Sequence, residues 1–182
     1  LVTQGVHDIT LAAGYKAEML VDHFLGSTVH VVDTGDQDIA QRIRQLDRGD
    51  DRDLLVLYGD TLSDVNFAEL LDSHHRAGLP ASVTVWPMHS SFGLFSLDEF
   101  SRVAKYEEKP VLDKWINIGY FVFSRSALDT VVNANSFELA IQQLVANRSL
   151  NAFAHHGLHV TVNTQSELEE AEASLADWAS VG

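Results

Sequence analysis

The chain has 182 residues with 26 acidic and 12 basic side chains, a formal charge of −14, and no cysteine. So acidic a surface repels a phosphate backbone and argues against nucleic-acid binding, while the missing thiols exclude disulfides and thiolate metal sites. No apolar run approaches the roughly 20 residues that cross a bilayer and no signal peptide is visible, so the composition fits the cytoplasm and a single soluble domain over residues 1–182. The same charge would repel a nucleotide, so any phosphate chemistry here should depend on a metal.

In chain order, Leu1–Gly5 reads as the end of a helix closed by glycine. The chain is therefore expected to begin mid-fold and to be N-terminally incomplete. Asp8–Ala13 predicts a strand, Ala17–Phe24 a short amphipathic helix and Thr28–Val32 a second strand, with Gly35 in the loop after it. Ile39–Leu46 predicts a helix with Ile39, Ile43 and Leu46 on one face. Leu54–Tyr58 is an apolar run closed by Gly59-Asp60, the pattern of a central, fully buried parallel strand. Ligands collect beyond the carboxyl ends of such strands, which would put Asp60 in a cleft where it could hold a divalent cation. Alternatively, Asp60 and Asp64 only cap the following helix, Asn66–Ala77.

Further on, Ala81–Val85 predicts a strand whose regular pairing ends at Trp86-Pro87. Phe92–Leu97 reads as an irregular strand, and Val103–Glu107 and Trp115–Phe123 as regular ones. Phe137–Val145 predicts a helix, and Asn151–Ala154 and His159–Val162 short strands. Ser166–Trp178 predicts a helix capped by Ser166. Strand and helix alternate in the first half, and strands neighbour strands in the second. The expected fold is α/β: a mixed, mostly parallel Rossmann-like sheet with helices on both faces.

Several residues have plain structural readings. Asn117 could satisfy a neighbouring backbone group, and Glu108-Lys109 could be an exposed charged pair. Trp115, Tyr120 and Phe121 read as core. His74-His75 and His155-His156 read as surface histidines rather than metal ligands, since adjacent helical residues point in different directions. Glu167, Glu169, Glu170 and Glu172 form a solvated helix face.

Taken in order, Gly14-Tyr15-Lys16, Val32-Asp33-Thr34-Gly35, Tyr58-Gly59-Asp60, Ser63-Asp64-Val65, Phe92-Gly93, Glu108-Lys109-Pro110 and Trp115-Ile116-Asn117-x-Gly119-Tyr120-Phe121 resemble the sugar-1-phosphate nucleotidyltransferases. The likeness is to the glucose-1-phosphate cytidylyltransferase branch of that family. It implies the family's nucleotide-diphospho-sugar transferase fold, its first strand, glycine-rich loop and helix lying outside residues 1–182. It also implies a reaction joining a sugar 1-phosphate to a nucleoside triphosphate, CTP foremost, with release of pyrophosphate. The product would be a nucleotide-activated sugar of the kind used in polysaccharide biosynthesis. By the same resemblance Asp60 holds Mg²⁺, with Asn163 as second ligand where the family has an aspartate. Lys109 meets the sugar phosphate, and Glu108 and Asn117 hydrogen-bond sugar hydroxyls. Gly93 permits close approach, and Gly14 and Tyr15 lie near the base. Phe92-Gly93, Glu108-Lys109 and Asn163 are then expected to converge near Asp60. A catalytically inactive binding or regulatory module is the alternative, motivated by Asn163 and by the absence of the glycine-rich loop from residues 1–182. The oligomeric state stays open, a homo-oligomer included.

Overall fold

A computed structural model describes residues 1–179. The strands are β1 (Ile9–Ala13), β2 (Val29–Asp33), β3 (Leu54–Leu57), β4 (Thr61–Ser63), β5 (Ala81–His89), β6 (Leu94–Leu97), β7 (Val103–Glu107), β8 (Val111–Phe123), β9 (Leu150–Ala154) and β10 (His159–Thr161). The helices are α1 (Ala17–His23), α2 (Ile39–Leu46), α3 (Phe67–Ala77), α4 (Arg125–Asn133), α5 (Phe137–Ala146) and α6 (Gln165–Ala179). The arrangement is mixed α/β, as the alternation of patterns predicts. The pairing is divided, however: one four-stranded sheet runs in the order β3-β8-β5-β9, and β1-β2, β4-β10 and β6-β7 pair separately. β1 and β2 are parallel, and the other two pairs are antiparallel. No helix among the described residues is long and apolar enough to cross a membrane.

The chain forms two compact units, one of residues 1–56, 66–82 and 121–151, the other of 57–65, 83–120 and 152–182. In the first, Phe121, Phe123 and Phe137 build an aromatic core. The Phe121 and Phe123 rings stack at 5.6 Å, and Phe137 meets Phe121 edge-on at 5.2 Å. Leu70, Ala81, Val131 and Ala140 are fully buried in the same unit. Asp38 begins two helices at once, its Oδ1 accepting the N–H groups of Ala40 in α2 and Phe137 in α5, both at 2.8 Å. Asp47, just past α2, takes both Nη atoms of Arg125 at 2.7 and 2.8 Å and the Gly49 N–H. The Arg125 contact, reinforced by Gly49, holds the Asp47 carboxyl at about 2, below its ordinary 3.8.

The second unit buries Val65, Val83, Thr84, Ile118 and Tyr120. α6 begins with a capping box: Thr164 Oγ1 accepts the Glu167 N–H, and Glu167 Oε2 accepts the N–H groups of Asn163 and Thr164. Thr164, not Ser166, is the cap, because Glu167 three residues on completes the reciprocal pair. Trp178, within that predicted helix, falls inside α6.

Other expectations need correction. Leu54–Leu57 stands at the end of the sheet order and is half-buried throughout, not central and fully buried. Composition fixes its extended backbone, but β8 takes the middle of the sheet. β5 runs on through Trp86-Pro87 to His89. The neighbouring β9 ends at Ala154, and the His155 N–H makes its bond at Val85 O. Pro87 therefore lies past the stretch where that neighbour would require its N–H. Neither Asp60 nor Asp64 caps α3; Asn66 does, accepting the Ala68 and Glu69 N–H groups. β4 and α4 escaped the sequence pattern, being a three-residue strand and a helix that follows β8 after one residue. His74 is buried, its Nδ1 2.9 Å from Ser82 Oγ, and burial pushes its imidazole pKa down.

Two stability outcomes follow from the first unit. Phe123→Ala should cost about 3–5 kcal/mol in chemical denaturation, as large aromatic truncations in closed cores do. Asp47→Ala should lower the thermal midpoint at pH 7. Because the folded-state carboxyl titrates below its ordinary value, that difference should be full above about pH 4 and should shrink as pH falls towards 2. Melting curves of both proteins across that range measure it.

Candidate functional site

Two groups of residues carry the chemistry expected from the sequence, one in each unit. In the first unit, the loops after β1 and β2 are tied together. Thr34 donates both its N–H and its hydroxyl to Ala13 O, and the Asp33 carboxylate accepts the Gly35 N–H. Arg42 on α2 spans them, donating to Ala12 O and Gln37 O. Gly14 sits under that guanidinium: a Cβ there would lie 2.8 Å from Arg42 Nη2 and from Gly35 O, so only glycine fits. Beyond it Tyr15 is 87% exposed, with the Lys16 ammonium 5.3 Å from its ring. An aromatic face and a cation thus stand open to solvent over a fixed double loop. Arg42 was missed by sequence reasoning as a loop-positioning residue; the glycines at 14 and 35 were the available signal.

In the second unit, β4 and β10 pair with Thr61 opposite Thr161, and the Val162 N–H donates to Asp60 O at 2.8 Å. That extra bond carries the pairing one step further. Asn163 is therefore the residue directly after Asp60's backbone partner. Asp60 is exposed, with one carboxylate oxygen accepting from the Thr61 hydroxyl at 3.2 Å. Asn163 is exposed too, its backbone N–H held by Glu167.

Gly93 and Glu108 also meet. β6 and β7 pair with Leu94 opposite Glu107, so these two residues flank the last rung. A Cβ on Gly93 would stand 2.8 Å from Glu108 Oε2 and 2.5 Å from the Tyr106 hydroxyl. Tyr106 donates to the same Glu108 oxygen, and that contact pushes the phenol pKa up. Glu108 is exposed, with its second oxygen oriented by this tie. Tyr106 was not singled out from the sequence; its place two residues before Glu108 in a strand was the only clue.

Lys109 is exposed and adopts φ 45°, and Lys16 adopts φ 57°. A non-glycine residue in the left-handed region costs of order 1–3 kcal/mol, and such positions gather at ligand-binding sites. Ser101 and Arg148 share this conformation at turns, so the geometry alone does not mark a site. What distinguishes the two lysines is that each follows a residue expected to bind substrate, Tyr15 and Glu108.

Other residues singled out from the sequence have contacts of their own. No hydrogen bond or ion pair joins Asp60 to Glu108 or Lys109 among the described residues. Asn117 serves the backbone: its Oδ1 accepts the Gly119 N–H at 2.8 Å. Gly119, at φ 80°, lies against the Tyr58 ring and its carbonyl accepts the Tyr58 N–H, so Asn117 stabilises a kink in β8. Asn117 as a residue is exposed. Tyr120 and Phe121 are core as expected, but Trp115 is 49% exposed, edge-on to His156 at 5.5 Å. His155 is not a lone surface histidine. Its Nε2 lies 2.9 Å from Asp64 Oδ1, which also accepts the Leu158 N–H, so Asp64 pins the β9–β10 loop.

Known proteins with similar sequences carry related names. A Bacillus subtilis protein named probable glucose-1-phosphate cytidylyltransferase is 28% identical over 196 residues, spanning 91% of this chain and 77% of that one. A glucose-1-phosphate adenylyltransferase of Clostridium acetobutylicum is 30% identical over 141 residues, covering 68% of this chain and 37% of its own length. In structure, HddC from Yersinia pseudotuberculosis superposes with a TM-score of 0.68 at 17% identity, over 96% of this chain and 81% of that one. That likeness establishes the shared α/β fold. The nucleotidyl transferase family pattern matches residues 5–178, and the chain, which carries the ordered motifs and the fold described above, belongs to that family.

Proposed function

We propose that this protein is a sugar-1-phosphate nucleotidyltransferase that uses CTP. The carrying observation is the Val162 N–H bond to Asp60 O, which brings a carboxylate and a side-chain amide to one end of the β4-β10 pair. Both offer hard oxygen donors on exposed side chains, a set that suits Mg²⁺, which needs few protein ligands because it keeps waters and phosphate oxygens. Asp60 and Asn163 would hold that ion. Bound there, Mg²⁺ would neutralise phosphate charge and act as a Lewis acid at the α-phosphate.

The remaining work falls to the chain's own residues. A sugar-phosphate oxygen forms a bond to the α-phosphorus of the triphosphate, and the α–β bridging bond breaks to release pyrophosphate. Two anions must meet on a protein of charge −14, so positioning and local cations decide the rate. Lys109 would meet the sugar phosphate as a point charge. Glu108, oriented by Tyr106, would accept from a sugar hydroxyl, and Gly93 lets both side chains close over its backbone where a Cβ would stand. Asn117 has its amide nitrogen for a second hydroxyl. Gly14 and Tyr15 would border the base. The cytidylyltransferase-like motifs Val32–Gly35 and Trp115–Phe121 favour CTP; the relatives' names differ in the base.

Asn163 favours a second reading, a module that binds these ligands without turnover. Asparagine offers a neutral carbonyl where a carboxylate would hold the ion more tightly. The two readings part on a pyrophosphate-release assay of the full-length protein with Mg²⁺, each of the four nucleoside triphosphates and a panel of sugar 1-phosphates. Release with CTP is expected. No release from any pair, with nucleotide binding intact in calorimetry, would leave the binding module.

The metal assignment has its own outcome. Asp60→Asn should abolish Mg²⁺-dependent CTP binding, whereas Asn163→Asp should strengthen it by about 1–3 kcal/mol, the range for hydrogen bonds to charged groups. Calorimetric titrations with and without Mg²⁺ measure both; if neither substitution changes them, these residues hold no ion.

A further inference from the structure

Outside the residues given roles above, the first unit contains an open cleft of about 450 Å³ lined by Asp53, His74, His75, Pro80, Ser124 and Ser126. Asp53 immediately precedes β3, and the two histidines lie on the last turn of α3. Adjacent helical side chains leave the axis about 100° apart, yet these two rings come within 5.5 Å of each other, tilted by 59°. His75 Nε2 lies 2.7 Å from Asp53 Oδ2. One ligand atom from each of Asp53, His74 and His75 lies within 4.8 Å of the others.

We propose that Asp53, His74 and His75 form a binding site for a divalent transition-metal ion, Zn²⁺ foremost, that fastens the end of α3 to the start of β3. Two imidazoles and one carboxylate are a borderline donor set that suits Zn²⁺ and leaves a fourth position for water from the cleft. At metal–ligand distances of 2.0–2.2 Å, tetrahedral ligand atoms stand about 3.3 Å apart. The Asp53–His75 pair must open slightly and close in on His74, whose ring is held by Ser82. His75 is 61% exposed and free to turn, so the adjustment is one of rotamers.

The surroundings are those of a built site. His74 is buried, and its Nδ1 is engaged by Ser82 Oγ, which directs Nε2 as the ring's ligand atom. Ser82 is itself buried and accepts from the Asn151 amide at 3.3 Å, so the ring's orientation is fixed from behind. The site is independent of the Mg²⁺ site proposed at Asp60, which has oxygen donors alone.

The test uses the full-length protein freed of metal by a chelator. Titration with Co²⁺ should produce one equivalent of visible d–d absorption, which Zn²⁺ then abolishes by displacement. His75→Ala and Asp53→Asn should each weaken Zn²⁺ binding at least tenfold, while Asp60→Asn leaves it unchanged. Zn²⁺ should raise the melting temperature of the wild type and not of His75→Ala. His75→Ala changes an exposed side chain and Asp53→Asn keeps the side chain's shape, so neither removes buried packing, unlike His74→Gln. Absence of the Co²⁺ band at stoichiometric metal, or Zn²⁺ affinities in both variants equal to wild type, would overturn the proposal. Loss of binding in Asp60→Asn with the other two unaffected would overturn it as well.

Discussion

Six consecutive residues of β8, Ile118–Phe123, are buried whichever way they point. A strand covered on both faces must find all its partners inside the protein, and a run of aromatic and β-branched side chains allows no other position. The rest of β8 obeys a different rule. From Val111 to Asn117 most residues are exposed, and the change falls beside the kink at Gly119. Asn117 holds that kink by bonding the Gly119 N–H, and the Tyr58 ring fills the space where a Cβ would stand. The most apolar stretch of the chain is thereby joined to a wet one without a break in the strand.

This division explains what could be read from the sequence. Helices with a clear periodicity were legible because that pattern is local: α2 falls on Ile39–Leu46 as indicated, with Asp38 capping, whereas α4, directly after β8, was not. β8 was legible because composition alone demands burial. The place of β3 was not legible, since four apolar residues specify an extended backbone without saying how many neighbours it has. Asp64 shows the same limit. A carboxylate ahead of a helix reads as a cap, yet it bonds Leu158 and His155, nearly a hundred residues away. Of the candidate site, the ordered motifs disclosed the residues and the expectation that they gather near Asp60, but not the contacts that hold each of them. Gly93 and Glu108 meet through a hairpin register, and Asn163 directly follows the residue whose N–H bonds Asp60 O; neither fact lies in local pattern. The histidines at 74 and 75 went the other way, because the helical-direction argument treats Cβ vectors and ignores where long side chains end.

Few of the chain's cations are available to an anion near the motif residues. Arg42 spends its guanidinium on backbone carbonyls, and Arg44 does the same at Val132 and Ala134. Arg125 is held between Asp47 and Asp129, and Arg48 and Arg52 answer Asp8. Lys16 and Lys109 stand apart from this pattern, and both occupy left-handed backbone next to a candidate ligand residue. Arg42, Arg44 and Arg125 are spent on the fold, whereas Lys16 and Lys109 are presented to solvent at the motifs.

β3 stands at the end of the sheet order with Leu-Leu-Val-Leu half in solvent. Such an edge offers unpaired backbone groups and apolar side chains to any extended chain, including another copy of itself. Charged neighbours flank it, Arg52 and Asp53 on one side and Asp60 on the other, and each molecule carries −14. Mutual repulsion opposes the joining of two such edges, and it has a range. The screening length falls from about 10 Å at 0.1 M salt to about 3 Å at 1 M. Added salt thus removes the repulsion at that edge while leaving its apolar side chains as they are.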